Sequence, residues 1–224
     1  MRIRDHLFRG VDPYYVEVGG SLALWSTQDV EIEGWGDGHL LAQLFRQFMP
    51  KLVIEVGTWK GRSAIRLANE AKNLNHRCEI VCVDTFLGSS EHWLDREHGF
   101  FNQLDIKLGR PTLYETFIKN VIDHKVTDYI TPLPLPSRLA AMVLKPTGLM
   151  ADLIYIDGAH DYDSVLEDLT HWSRILSPNG IILCDDYGPW PGVERAIFAF
   201  CTANPDFRLS TRTPQAILSR THLF

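Results

Sequence analysis

Apolar residues fall into short dense runs separated by longer mixed segments, and the two kinds alternate along most of the chain. The run holding Val53, Ile54 and Val56 predicts a buried strand over 52–56. Before it, Leu40 to Phe48 places Leu, Leu and Phe at helical spacing, after the small polar stretch Gly36-Asp37-Gly38 and ahead of Pro50. After it the pattern predicts a helix over 63–72, a strand over 79–84, a helix over 113–123 and a strand over 129–132. A strand over 153–157 then leads to a helix over 163–175, and a strand over 180–184 to a helix over 193–202. Repeated βα units predict a parallel, doubly wound sheet with helices on both faces. The end differs: 207–212 and 216–219 are strand-like runs separated by Thr213, Pro214 and Gln215, an expected antiparallel hairpin. The fold class is therefore α/β, with a seven-stranded, mostly parallel sheet. One connection, 86–112, exceeds the ordinary loop length of about 15 residues. Its Trp93, Phe100 and Phe101 predict a packed or substrate-covering loop.

Composition narrows the class. The chain has 224 residues, 45% of them hydrophobic and 22% charged, which suits one large globular domain over 40–224. Residues 1–39, with Trp25 and Trp35, fall outside it and are expected to form a cap over the site or a subunit contact. A formal charge of −6 offers no broad cationic surface, which argues against nucleic acid as a partner. Cys78, Cys82, Cys184 and Cys201 form no C-x-x-C pair and read as reduced residues of a cytoplasmic protein. The opening MRIRDHLFRG has no apolar segment behind it, and no run reaches membrane-spanning length, so neither export nor a membrane partner is expected.

Candidate chemistry concentrates where the strands end. Ligands of open α/β sheets sit beyond the carboxyl ends of the strands. Gly57 and Gly61 allow a tight turn and close backbone approach, and the helix after them offers free N–H groups to a carboxylate or phosphate. Trp59 stands where a dinucleotide fold would need its second glycine, which argues against NAD. Asp84, closing the second strand, can accept hydrogen bonds from two ribose hydroxyls; a turn cap is the competing role.

The spacing of Glu55, Gly57 and Gly61 resembles the first motif of class I S-adenosylmethionine-dependent methyltransferases. Glu55-Val56-Gly57-Thr58-Trp59-Lys60-Gly61-Arg62-Ser63 is similar to that motif in catechol-type O-methyltransferases, with an aromatic two residues after the first glycine and a serine two after the second. The resemblance implies a Rossmann-like fold and S-adenosylmethionine as cofactor, held by Glu55, Gly57, Thr58, Trp59, Gly61, Ser63, Asp84, Ser137 and Asp157. Ser63 would bind the methionine carboxylate, Trp59 would flank the methyl-transfer centre, and Ser137, in the segment Pro136-Ser137-Arg138, would meet the adenine edge. A serine in a proline-rich loop is also commonly just solvated.

Asp157 ends one strand and Asp185-Asp186 end the next. Three carboxylates at neighbouring strand ends repel one another unless a cation lies among them. An all-oxygen set suits a hard divalent ion, most naturally Mg²⁺. Catechol-type enzymes carry an Asp and an Asp-Asn pair in these places and sugar O-methyltransferases of antibiotic pathways carry three aspartates, the version this chain resembles. The competing reading is that Asp185 and Asp186 cap a turn while Asp157 orders the cofactor amine. His160 falls where catechol-type enzymes hold their catalytic lysine, so His160 and Asp157 are the candidate catalytic residues. His160 as a metal ligand, or as a loop residue bonded to backbone, stays open. The sugar-specific enzymes place an aspartate where this chain has Ala159, which leaves the base unassigned.

His92, Asp95, Glu97 and His98 lie close together but match no ligand signature and read as a solvated lid face. Tyr187, Pro189, Trp190 and Pro191 are expected to wall an acceptor pocket. The resemblance covers about 40–219 and includes DTFLGSSEHW, typical of bacterial relatives of macrolide and aminocoumarin sugar O-methyltransferases. It implies transfer of a methyl group from S-adenosylmethionine to a hydroxyl of a small molecule or glycan, with a divalent metal. The alternatives are a metal-independent N- or C-methyltransferase and a non-catalytic partner subunit that keeps the pocket. A homo-oligomer is an open option.

Overall fold

The computed structural model describes residues 2–15, 39–95 and 97–221. Trp25, Trp35 and the Gly36-Asp37-Gly38 stretch lie outside the described residues. Along the chain come α1 (Ile3–Phe8), α2 (His39–Phe48), β1 (Leu52–Val56), α3 (Arg62–Asn73), β2 (Glu79–Val83), α4 (Ser90–Leu94), α5 (Phe100–Gln103) and α6 (Leu113–Asp123). They are followed by β3 (Ile130–Leu133), α7 (Ser137–Leu144), β4 (Ala151–Ile156), α8 (Tyr162–Trp172), β5 (Leu176–Cys184), α9 (Pro191–Ala203), β6 (Arg208–Arg212) and β7 (Gln215–Ser219).

The sheet runs β3-β2-β1-β4-β5-β7-β6. Its first five strands are parallel, and β7 pairs antiparallel with both β5 and β6. The seven-stranded doubly wound sheet and its terminal hairpin match the expected fold class. Two cores lie on opposite faces. One packs Ile54, Val56, Ile154 and Ile156 against α7, α8 and α9, and the other packs Val53, Ile80, Leu153 and Leu183 against α2, α3 and α6. Strand order reverses between β1 and β4, so the crevice between their carboxyl ends is where such sheets place a ligand.

The helix after β1 shows why the sequence folds this way locally. Ala64, Ile65, Leu67, Ala68 and Ala71 recur at helical spacing and are buried, while Arg66 and Glu70 on the other side are only partly covered. Each large aliphatic side chain hidden this way contributes roughly 1.5–3 kcal/mol.

Three features depart from the sequence reading. The Pro136-Ser137-Arg138 segment is not a loop: Pro136 is the N-cap of α7 and Ser137 its first residue. Strand β5 begins at Leu176, ahead of its expected start. The connection 86–112 contains the short helices α4 and α5. In the N-terminal segment, α1 docks at the amino ends of the strands, where Ile3 and Arg4 N–H groups donate to the Glu79 carboxylate at 3.1 and 3.3 Å. The Tyr14 hydroxyl donates to the Ile130 carbonyl at 2.9 Å. This part of the segment sits at the rim opposite the carboxyl ends. Among the described residues, no helix is long and apolar enough to cross a membrane.

Candidate active site

Ladder hydrogen bonding continues one residue past the strand ends, which sets the turn residues side by side. Gly57 N–H donates to Val83 O at 2.9 Å, Asp157 N–H to Val56 O at 2.8 Å, and Asp185 N–H to Ile156 O at 2.9 Å. Gly57 and Gly61 both have positive φ, +84° and +92°. A Cβ on Gly57 would lie 2.1 Å from the Asp157 carbonyl oxygen, and one on Gly61 2.9 Å from the Phe117 ring. Glycine at these two places lets the turn pack flat against the neighbouring strand end and helix.

Asp84 organises the same turn. One of its oxygens accepts from the Thr58 and Trp59 N–H groups at 2.8 and 2.9 Å, and the other from Phe86 N–H at 2.7 Å. Glu55, buried in mid-strand, accepts a hydrogen bond from the Ser63 hydroxyl. Burial lifts its pKa to about 8, partly offset by Ser63 and reinforced by the charge of Asp157. Glu55, Gly57, Thr58, Trp59, Gly61, Ser63 and Asp84 are thus gathered around one turn. Ser137 is placed differently, as its hydroxyl donates to Asp168 and accepts from the Trp172 indole N–H at 2.8 Å.

The carboxylates converge beside this turn. Tyr155 and Asp157, two residues apart, point to the same face of the sheet. The Tyr155 hydroxyl lies 3.0 Å from an Asp157 oxygen and also within hydrogen-bond distance of Asp185, so one phenol, with a single proton to donate, bridges two acids. Burial, then the charges of Asp185 and Asp186, push the Asp157 pKa upward, and burial does the same for Asp185. One ligand atom each from Asp157, His160 and Asp186 lies within 4.8 Å of the others. This trio differs from the expected Asp157, Asp185 and Asp186 set by including His160, while Asp185 turns one oxygen to Tyr155 and the other to the Asp186 N–H at 3.0 Å.

Both His160 ring nitrogens are engaged. Nε2 lies 2.9 Å from Asp186 and Nδ1 2.9 Å from Glu91. The ring stacks on Trp190 with centroids 4.5 Å apart and planes 15° from parallel. Burial works against a charged ring, but the bonds and charges of Asp186 and Glu91 outweigh it and raise the pKa to about 10. Glu91 arrives on α4, and the next residue, His92, stacks on Trp59 at 4.3 Å. The expectation of a solvated face at 92–98 is therefore corrected at His92, which packs on the glycine turn. Glu91 and Tyr155 were not among the expected site residues. Tyr155 was findable from strand alternation with Asp157, whereas no spacing rule pointed to Glu91.

A family profile described as a methyltransferase domain matches residues 54–187, spanning the glycine turn through the acidic pair. The chain belongs to the methyltransferase-domain family. Mouse (Mus musculus) catechol O-methyltransferase is 22% identical over 179 residues, covering 74% of this chain and 64% of that protein's length. The O-methyltransferase NovP shares this methyltransferase fold with a TM-score of 0.60 at 19% identity, over 81% of this chain and 80% of its own. CalS11, a TDP-rhamnose 3′-O-methyltransferase of calicheamicin biosynthesis, does so with a TM-score of 0.55 at 21% identity, over 80% and 77%.

Proposed function

We propose that this methyltransferase domain transfers a methyl group from S-adenosylmethionine to a hydroxyl of a small molecule or glycan bearing two adjacent oxygens, assisted by a dication. The observation that carries the reading is the meeting of donors from Asp157, His160 and Asp186 within 4.8 Å, directly beside the Gly57 turn. Their donor set fits a dication, because burial and then the charges of Asp185 and Asp186 already drive Asp157 toward its protonated form, a repulsion that a bound cation would relieve. When bound, S-adenosylmethionine supplies an electrophilic methyl group and the dication lowers the pKa of an acceptor hydroxyl. CalS11 acts on a sugar hydroxyl by its description, which supports the acceptor class.

The chain's own residues would bind, orient and exclude water. Gly57 admits the methionine end, with Ser63 at the start of α3 and Asp84 toward the ribose. Trp59 and Trp190 wall the space between turn and carboxylates and keep water out, and fixed geometry then supplies much of the rate. His160 could take the acceptor proton only where it is not a donor to the dication, and the imidazole must first release one of its two partners.

Calorimetry with S-adenosylmethionine, followed by transfer to a panel of vicinal sugar diols and catechols with and without EDTA, tests the proposal. Binding plus chelator-sensitive transfer is expected. Equal transfer in chelator would remove the metal from the reading, and no cofactor binding would end it.

A further inference from the structure

Helix α4 brings a carboxylate to the back of the site histidine. Glu91 lies 2.9 Å from His160 Nδ1, and Nε2 on the far side of the ring lies 2.9 Å from Asp186. Trp190, stacked 4.5 Å away, fixes the ring plane. The imidazole thus has its tilt, rotation and both nitrogen directions set, with Nε2 facing the point where Asp157 and Asp186 converge. Asp185 is committed elsewhere, to Tyr155 and the Asp186 N–H. An imidazole that turns one nitrogen to a carboxylate cluster while its other N–H is gripped by a separate acid has the arrangement of metal-ligating histidines, whose outer carboxylate fixes tautomer and orientation.

We propose that His160 is a nitrogen ligand of the dication, beside Asp157 and Asp186, that Glu91 is its positioning residue, and that the site therefore prefers a transition dication such as Mn²⁺ over Mg²⁺. The inference rests on the proposed function only for the presence of a dication. Imidazole suits first-row transition ions, whereas Mg²⁺ favours an all-oxygen octahedron. The ion would take the place of the proton between Nε2 and Asp186, and that proton leaves to solvent. Because His92 of the same helix stacks on Trp59, the orientation of the ligand depends on α4 being seated against the cofactor turn.

Calorimetric titration of the full chain with MnCl₂ and with MgCl₂ tests this. Mn²⁺ should bind at least about tenfold tighter than Mg²⁺, and His160→Gln should erase that preference. Glu91→Ala should weaken Mn²⁺ by roughly 10–100-fold, with Glu91→Gln recovering part of the loss, while Asp185→Asn stays within about threefold of wild type. The Co²⁺-loaded protein should show one exchangeable, paramagnetically shifted ring N–H resonance that Glu91→Ala removes. This signature separates positioning from general stability, and thermal melts establish that each variant is folded. Unchanged Mn²⁺ affinity in folded His160→Gln, equal affinity for the two ions, or a larger loss in Asp185→Asn than in His160→Gln would each overturn the inference while leaving the dication itself in place. A wild-type chain that binds neither ion would overturn both this inference and the metal part of the proposed function.

Discussion

At Gly57 the backbone has no room for a side chain. A Cβ there would stand 2.1 Å from the Asp157 carbonyl oxygen, at a φ of +84° that side chains resist. Gly57→Ala must therefore push the β4 end away from β1, with a stability loss of about 2 kcal/mol or more in urea melts and loss of S-adenosylhomocysteine binding by calorimetry. Unchanged binding in that variant would mean the close approach does not shape the cofactor turn. Asp168 offers a test by pH. It is buried against Ser137, and burial raises its pKa from 3.8 to about 7. The folded state therefore holds the proton more tightly than the unfolded chain. This contribution favours folding most below about pH 4 and is lost as pH rises toward 7, at up to about 1.4 kcal/mol per pH unit. Asp168→Asn should flatten that fall when unfolding free energies are compared at pH 5 and 7.5; parallel profiles for the two proteins would contradict the assignment.

Among the elements, α4 is too short to persist by itself and is held by its contacts. Besides the Glu91–His160 pair, the His92 ring stacks on Trp59, and the Trp93 indole N–H donates to the Leu87 carbonyl at 2.7 Å. Trp59→Ala should raise amide exchange across 90–94 by about tenfold or more while leaving the strands protected, and equal exchange in wild type and variant would show that the stack does not seat the helix. The same physics explains what the sequence revealed. Buried parallel strands such as β1, apolar on both sides but for Glu55, are bounded by turn residues, so five of them were legible together with the acids that follow β2, β4 and β5. Helix α7 was not, because it buries Ala140, Ala141 and Leu144 while exposing Leu139, Met142 and Val143, which blurs any single apolar stripe. The early part of β5 was hidden by Pro178, Asn179 and Gly180, residues that ordinarily end strands. Helices of five and four residues, α4 and α5, carry too few positions to show a period. With α4 unseen, Glu91 could not be placed at the site.

Across the whole molecule, the parallel sheet points five strand ends the same way and so gathers Asp84, Asp157, Asp185 and Asp186 on one rim of a chain with net charge −6. Such a rim costs stability until ligands complement it. The two sources of relief are separated in the structure: Asp84 is bonded to the Thr58, Trp59 and Phe86 amides, whereas the carboxylates beside Tyr155 belong to the β4 and β5 ends. A ligand present at 100 times its Kd stabilises the folded state by about 2.7 kcal/mol, which in a domain of this size moves Tm by roughly 5–10 °C. Wild type should show a shift of this size with S-adenosylhomocysteine and another with Mn²⁺. Asp84→Asn should lose most of the first and keep the second, because its carboxylate holds the Thr58, Trp59 and Phe86 amides of the glycine turn and takes no part in the donor trio. Loss of both shifts together in Asp84→Asn would mean that the turn and the carboxylate cluster form one inseparable site.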